Sequence, residues 1–259
     1  MSLQQDRIFS GLAPKFARNI YASSKGELRL QIVKQRMQAE LPLNTNKPLK
    51  ILDLGAGLGH IAAWLDALGH EVTLVEPAED MLAKARQQHP WQAASFYCTD
   101  IQGFVPYAQA QCWQYDLIVC HAVLEWLAEP QVTLQQALPL MAAQGYLSLM
   151  FFNRNALLFS NIVKGNYQKA WQEKLAGSGR RQRLTPTHPQ EPQEVLAWLA
   201  AWELDILGVT GVRVFHDYLR HKQPTPEELA QVYALEEKYC QQEPFWRLGR
   251  YVHVSARHP

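Results

Sequence analysis

The chain has 259 residues, of which 47% are hydrophobic and 19% charged, and its net charge is +1. That is enough apolar material for one α/β domain with an insertion, or for two small domains, and too much for a disordered chain. No apolar run reaches the roughly 18 residues of a membrane helix, the N-terminus lacks the apolar stretch of a signal peptide, and Cys98, Cys112, Cys120 and Cys240 form no C-x-x-C pair, so reduced, mostly buried thiols, a cytoplasmic location and no metal are expected.

Charge is unevenly spread along the chain. Residues 1–50 hold nine Lys/Arg against three Asp/Glu, residues 51–150 two against ten, and residues 151–259 fourteen against eleven. If the flanks fold over one mouth of the core, they present a basic face to a polyanion; otherwise the surface charge is simply uneven. Residues 6–40 read as helical, with Leu28, Ile32 and Gln35 at helical spacing, and the polar stretch Leu43–Pro48 closes them as a loop. Residues 1–48 are therefore expected to form an N-terminal helical cap.

Strands and helices then alternate. Leu49–Leu54 reads as a buried strand, Gly55–Gly59 as a glycine-rich turn and Ile61–Leu68 as a helix. Val72–Val75, Ser95–Thr99, Asp116–Cys120 and Tyr146–Phe152 read as further strands. Glu79–Gln88 and Leu134–Met141 read as helices, the latter ended by a turn at Gly145. Residues 154–190 interrupt the pattern as a basic, aromatic, helical insertion. Pro192–Trp202 and residues 225–241 read as helices, and Leu204–Phe215 and Tyr251–Ala256 as the last strands. Such alternation implies a mostly parallel sheet of seven strands with helices on both faces. Residues 49–259 then make one α/β domain carrying the insertion.

The sharpest motif is Asp53–Leu54–Gly55–Ala56–Gly57–Leu58–Gly59. A ligand can lie against the main chain of such a turn at the C-terminal end of the first strand. Dinucleotide enzymes need a third glycine where this chain has His60. Asp53, just before the turn, suits a cationic ligand such as S-adenosylmethionine, which carries an ammonium and a sulfonium and no phosphate. Glu76, at the end of the second strand, is placed to accept ribose hydroxyls. Asp100 ends the third strand and suits either an adenine amino group or a helix cap, and Ile101 follows it with an amide or an apolar contact. His121, after the fourth strand, would border the methyl group or serve as a structural histidine.

This motif order, over residues 49–153, resembles that of class I S-adenosylmethionine-dependent methyltransferases. A closer resemblance covers the whole chain. The runs Arg18–Gly26, His121–Trp126, Thr210–Arg220 and Leu248–Val254 are similar to those of the tRNA 5-carboxymethoxyuridine methyltransferases. The resemblance implies a Rossmann-like fold, S-adenosyl-L-methionine as cofactor, and cofactor contacts at Arg29, Gly55, Ala56, Glu76, Asp100, Ile101 and His121, with Asp53 and Gly57 in the same turn. It also implies methyl esterification of the carboxylate of 5-carboxymethoxyuridine at the wobble position, with the tRNA anticodon stem-loop as partner. The family's turn can carry paired glycines where this chain has Gly55–Ala56, and Asp where it has Glu76; a main-chain contact and a carboxylate survive both changes.

A carboxylate nucleophile is ionised at neutral pH, so no general base is needed. Something must still hold it. Arg213, Arg220 and Arg154 are candidates because a guanidinium forks onto a carboxylate, with Tyr21 and His216 as neutral donors. Lys164, Tyr167, Lys169, Trp171, Lys174, Arg180, Arg181 and Arg183 could hold single-stranded RNA by stacking and phosphate contact, or form a solvated helix and loop. Lys15, Arg18 and Lys25 make a second candidate patch. The alternative substrate is a small or carrier-bound acid, methylated without RNA.

Overall fold

A computed structural model of the chain describes residues 5–16, 23–176, 186–220 and 224–259. Among them lies one seven-stranded sheet of order β3-β2-β1-β4-β5-β7-β6. The strands are β1 (Lys50–Leu54), β2 (Glu71–Val75), β3 (Ala94–Tyr97), β4 (Tyr115–His121), β5 (Met141–Phe152), β6 (Asp205–Val212) and β7 (Tyr251–Arg257). Strands β1 to β5 pair in parallel, while β7 runs antiparallel to both β5 and β6. Period-2 alternation sends Leu52, Leu54, Ile118, Cys120, Leu149 and Phe151 into the core on one face. It sends Ile51, Leu74, Leu117, Val119 and Met150 into the core on the other.

The helices are α1 (Ala13–Phe16), α2 (Ser24–Glu40), α3 (His60–Ala67), α4 (Glu79–Gln88), α5 (Ile101–Ala110), α6 (Pro130–Ala137), α7 (Arg154–Val163), α8 (Tyr167–Trp171), α9 (Pro192–Ala201) and α10 (Pro226–Tyr239). Helix α2 starts where the Ser23 side chain accepts from the Gly26 N–H. It buries Leu28, Ile32, Val33 and Met37 against the second face of the sheet.

The structure corrects several sequence expectations. Residues 6–12 are not helical. The Arg7 N–H donates to the Trp126 carbonyl (2.9 Å), and Asp6 accepts from the Ala128 N–H (2.6 Å) and from the Gln102 side chain (2.7 Å). Gly11 then turns with φ +79, and the N–H groups of Gly11 and Ala13 both donate to Asp80 (3.1 Å each). Helix α5 was missed because Gly103 and Pro106 interrupt its pattern; Asp100 caps it. The turn expected at Gly145 is instead a β-bulge. Gln144 takes φ +60 and the β4–β5 register shifts, so β5 begins at Met141. Of the four cysteines, Cys98 and Cys112 are exposed; only Cys120 and Cys240 are buried.

Strand β6 stops before the expected Phe215 because Arg213 takes φ +64. The next three amides, of Val214, Phe215 and His216, donate to the carboxylate of Glu236 on α10 (2.6, 2.8 and 2.8 Å). Glu236 is fully buried, so those amides have no water to replace it. Glu236→Leu is expected to lower the unfolding free energy by about 3 kcal/mol or more, since it strands buried donors. Urea denaturation of the variant against the parent measures this, and a change of a few tenths would show that the amides find other partners.

Candidate active site

Open α/β sheets bind ligands beyond the C-terminal ends of the strands, where the direction of chain crossover reverses. Here that point lies between β1 and β4. An open cleft of about 1080 Å³ sits there, walled by Gly55, Glu76, Ile101, His121, Phe152 and Tyr251 among others. A second cavity of about 470 Å³ is lined by Asp53, Ala56 and His60, and shares Arg29, Gly55 and His121 with the first.

The glycine turn has left-handed backbone at Gly55 (φ +71), Gly57 (φ +56) and Gly59 (φ +70). A Cβ on Gly55 would lie 2.5 Å from a methyl of Val123, so this position excludes any side chain. The N–H groups of Gly55 and Ala56 donate to the Val75 carbonyl (2.8 and 3.1 Å). The Gly57 N–H donates to Glu76 Oε2 (2.9 Å) and the Ala78 N–H to Glu76 Oε1 (2.9 Å). Each carboxylate oxygen keeps a free lone pair on the cleft wall. Burial pushes the Glu76 pKa up against those two bonds. Asp53 is 4% exposed; burial, and after it the charge of Glu76, pushes its pKa up to about 7.

Asp100 is exposed at the rim. One oxygen accepts from the Gly103 N–H (2.8 Å), so the capping role and the rim position coexist. Ile101 is buried in the wall behind it. His121 borders both cavities; its Nε2 bonds Ser148 Oγ (2.9 Å), which in turn bonds His253 Nε2 (2.8 Å). Arg29, on α2, is 6% exposed and borders both cavities, its guanidinium 5.7 Å from the Tyr251 ring.

Two features escaped the sequence reading. The N-terminal strap places Arg7 and Phe9 in the cleft wall, where the Arg7 guanidinium stacks 5.2 Å from both the Phe9 and the Trp126 rings. Glu125 also lines the cleft, 1% exposed, with Oε2 lacking any protein partner. Burial raises its pKa to about 7, against its own N–H, the Phe152 N–H and the charge of Arg29. Its only sequence signal was a place in the run His121–Trp126.

Among the described residues, the structure does not bring the candidate carboxylate holders to the cleft wall. Both Asp217 oxygens take the Arg213 guanidinium (2.6 Å each), and Oδ2 also takes Arg250 (2.7 Å). Burial alone would raise Asp217, but the two arginines outweigh it and hold its pKa well below the carboxylate range. Arg213 sits 5.8 Å from the Tyr251 ring and Arg250 5.5 Å from the Phe152 ring, so this cationic cluster lies against the two aromatic rings that face the cleft. Arg154 pairs with Glu173. His216 is 9% exposed and its Nε2 bonds Ser24 Oγ (3.3 Å). Arg220 is exposed. Tyr21, Arg18, Arg180, Arg181 and Arg183 lie outside the described residues, as does the side chain of Lys15. Of the proposed RNA segment, Lys164, Lys169 and Lys174 are exposed, with Tyr167 at 69% and Trp171 at 90%.

A model of the methyltransferase domain family matches residues 52–149. The chain is similar to the tRNA 5-carboxymethoxyuridine methyltransferase of Escherichia coli, at 39% identity over 98% of this chain and 97% of that protein. It is also similar to the ubiquinone biosynthesis O-methyltransferase of Xanthomonas campestris, at 27% identity over 63% of this chain and 65% of that protein. Among solved structures, a plantazolicin methyltransferase in complex with SAH shares the fold, with a TM-score of 0.59 at 15% identity over 95% of this chain and 90% of its own.

Glu125 makes stability depend on pH. Its carboxyl moves from an ordinary 4.5 to about 7 on folding, so the unfolded chain releases this proton first. The parent therefore loses stability as pH rises from about 4.5 to about 7, and Glu125→Gln does not share that loss. Denaturation midpoints across this window should diverge by roughly 3 kcal/mol and then run parallel above it. A difference that stays flat from pH 4 to 8 would mean that Glu125 ionises alike in both states.

Proposed function

This chain belongs to the family of tRNA 5-carboxymethoxyuridine methyltransferases, and on that premise we propose that it transfers a methyl group from S-adenosylmethionine to the carboxylate of 5-carboxymethoxyuridine at the tRNA wobble position, forming the methyl ester. The observation that carries the reading is the 39% identity to the E. coli enzyme over 98% of this chain.

The cleft has the groups such a cofactor needs. The free lone pairs of Glu76 accept two vicinal hydroxyls, and the Gly55–Ala56–Gly57 backbone leaves room for a ligand to lie on it. Asp100 and Ile101 face the base. Asp53, Arg29 and His121 serve the amino-acid end, where an ammonium meets the buried acid and a carboxylate meets the guanidinium. S-adenosylmethionine, when bound, supplies an electrophilic methyl group. The protein's own work is to orient and desolvate the nucleophile, a contribution of roughly 7–11 kcal/mol in favourable cases. No side chain has to remove a proton, since the substrate carboxylate is already ionised.

The aromatic wall of Phe152 and Tyr251 suits a flipped pyrimidine, and the Arg213–Asp217–Arg250 cluster behind it gives that wall a positive field. Lys25 adds to the field, 3.7 Å from Asp217. The anticodon stem-loop would lie along α7 and α8, where Trp171 and Tyr167 offer stacking planes and Lys164, Lys169 and Lys174 meet phosphates. The compartment is then the cytoplasm, where tRNA is modified; no helix of the described residues is long and apolar enough to cross a membrane.

Purified protein with labelled S-adenosylmethionine and total tRNA from cells lacking this activity is expected to add one methyl to 5-carboxymethoxyuridine, reversible by mild alkali, as read by nucleoside mass spectrometry. Transfer to a small acid with no transfer to tRNA would replace this reading with that of a small-acid carboxyl methyltransferase. Trp171→Ala is expected to raise KM for tRNA roughly fivefold to a hundredfold, the span of one lost base stack, with cofactor Kd unchanged. An unchanged KM would move the RNA path off α8.

A further inference from the structure

Residues 5–12 form neither helix nor strand, yet this strap is tied to both helical layers of the fold. Helices α5 and α6 cover one face of the sheet, with Phe104, Val105, Leu134 and Ala137 in its core. Helix α4 covers the other, with Leu82 in that core. The first anchor of the strap is on the α5–α6 layer, where Asp6 takes the Ala128 N–H (2.6 Å) and the Gln102 side chain (2.7 Å). The second is on α4, where Asp80 takes the N–H groups of Gly11 and Ala13 (3.1 Å each). A chain held at both points has to cross the C-terminal edge of the sheet. Asp6, Arg7, Ile8 and Phe9 accordingly wall the same cleft as Glu76 and Ile101.

The two anchors are built differently. At the Asp80 end the chain enters α1, and Ala13 is 3% exposed among Leu58, Ala78 and Met81. At the Asp6 end the bond to Gln102 is exposed, and Ile8 leaves 49% of its surface to solvent. Between them stands Gly11, with φ +79 and nothing within 4 Å of where a Cβ would lie. A glycine in open space can turn through angles closed to other residues. Swinging the strap away parts Phe9 from the Trp126 ring (4.7 Å) and the Arg7 N–H from the Trp126 carbonyl (2.9 Å). Those contacts, with the Asp6 bonds, make the closed form the dominant one.

We infer that residues 6–10 are a gate over the cofactor cleft, hinged at Gly11 and latched by Asp6, which has to open for the cofactor to enter and for the spent cofactor to leave.

The gate rests on the cleft being the cofactor's, and not on which acid is methylated. It differs from a fixed wall in its kinetics. Loosening a wall that touches the ligand speeds departure alone and weakens binding. Loosening a gate that closes over both the empty and the filled cleft raises the open fraction of each by one factor. Association and dissociation then accelerate together, and Kd scarcely moves.

Stopped-flow tryptophan fluorescence of the intact protein with S-adenosylhomocysteine measures both rates; Trp126 lines the cleft and reports on it. Gly11→Ala separates gate from wall, because Gly11 is not among the residues that wall the cleft and its new methyl group would meet nothing. Both rates are expected to rise roughly fivefold to thirtyfold, equivalent to the 1–2 kcal/mol of a left-handed alanine, with Kd held within about threefold. Asp6→Ala is expected to move both rates in the same direction, and no change there would overturn the latch. For Gly11→Ala, faster dissociation with unchanged association would make the strap a fixed wall, and two unchanged rates would give it no part in exchange; either result overturns the gate. A parent protein that does not bind the probe would instead remove the cofactor reading of the cleft, and the gate with it.

Discussion

The carboxylate of Glu76 holds the site together because it closes two turns at once. One oxygen takes the Gly57 N–H of the β1–α3 turn and the other the Ala78 N–H of the β2–α4 turn. The Gly55 and Ala56 amides are held by the Val75 carbonyl, but Gly57, left-handed and without a side chain to anchor it, has its amide fixed by Glu76. Glu76 also raises Asp53, the next carboxylate along the wall. Two buried acids so placed cannot both ionise cheaply without a cation between or beside them. Cation binding and Asp53 ionisation are therefore one event seen from two sides. The turn that a sequence motif marks as a ligand cradle is also a charge trap.

The second half of the site follows from an exception to the parallel sheet. Strand β7 runs antiparallel between β5 and β6, so it begins where the parallel strands end. Tyr251, its first residue, consequently stands opposite Phe152, the last residue of β5. The residue before it, Arg250, and the residue after β6, Arg213, arrive at the same rim and share Asp217. A parallel β7 would have carried Arg250 and Tyr251 to the opposite end of the sheet, away from Arg213. The buried triad of two guanidiniums and one carboxylate leaves an excess positive charge behind aromatic rings, and Glu236 pins the loop that carries Asp217.

Much of this was legible from the sequence where local pattern and burial agree. The strands around Ile51, Leu74, Ile118 and Val254 are apolar runs bounded by polar turns. The glycine turn with Asp53 and Glu76 is a local signal whose geometry the fold repeats. What stayed hidden depends on distant partners. Residues 6–12 look helical by composition, yet Arg7 and Phe9 pack on the Trp126 ring, at 5.2 and 4.7 Å, a partner far along the chain. Helix α5 exists despite Gly103 and Pro106 because Asp100 caps it and Phe104 and Val105 find the core. Arg213 read as a free carboxylate holder because its partner Asp217, four residues on, turns inward only through a backbone twist at Arg213 itself. Glu125 and Tyr251 lay only within the runs His121–Trp126 and Leu248–Val254, and Tyr251 at the start of a predicted strand, with nothing to mark them as facing one cleft; the fold brings both to its wall.

The charge partition of the sequence acquires a spatial meaning in this frame. The acidic middle of the chain supplies Asp53, Glu76 and Asp100 from β1, the end of β2 and the turn after β3, and Glu125 from a short 3-10 helix after β4. The basic flanks supply Arg7 and Arg29 from before it, and Arg213 and Arg250 from after it. A cleft built this way sets an acid wall of Asp53, Glu76 and Asp100 near an aromatic wall backed by Arg213 and Arg250, with Arg29 lining the same cavity as Asp53. Had the charges been mixed evenly, each ligand would have met repulsion as often as attraction. This arrangement requires that the flanks fold back over the core rather than form domains of their own. The strap and α2 meet that requirement from one end of the chain, and the antiparallel pair β6–β7 meets it from the other.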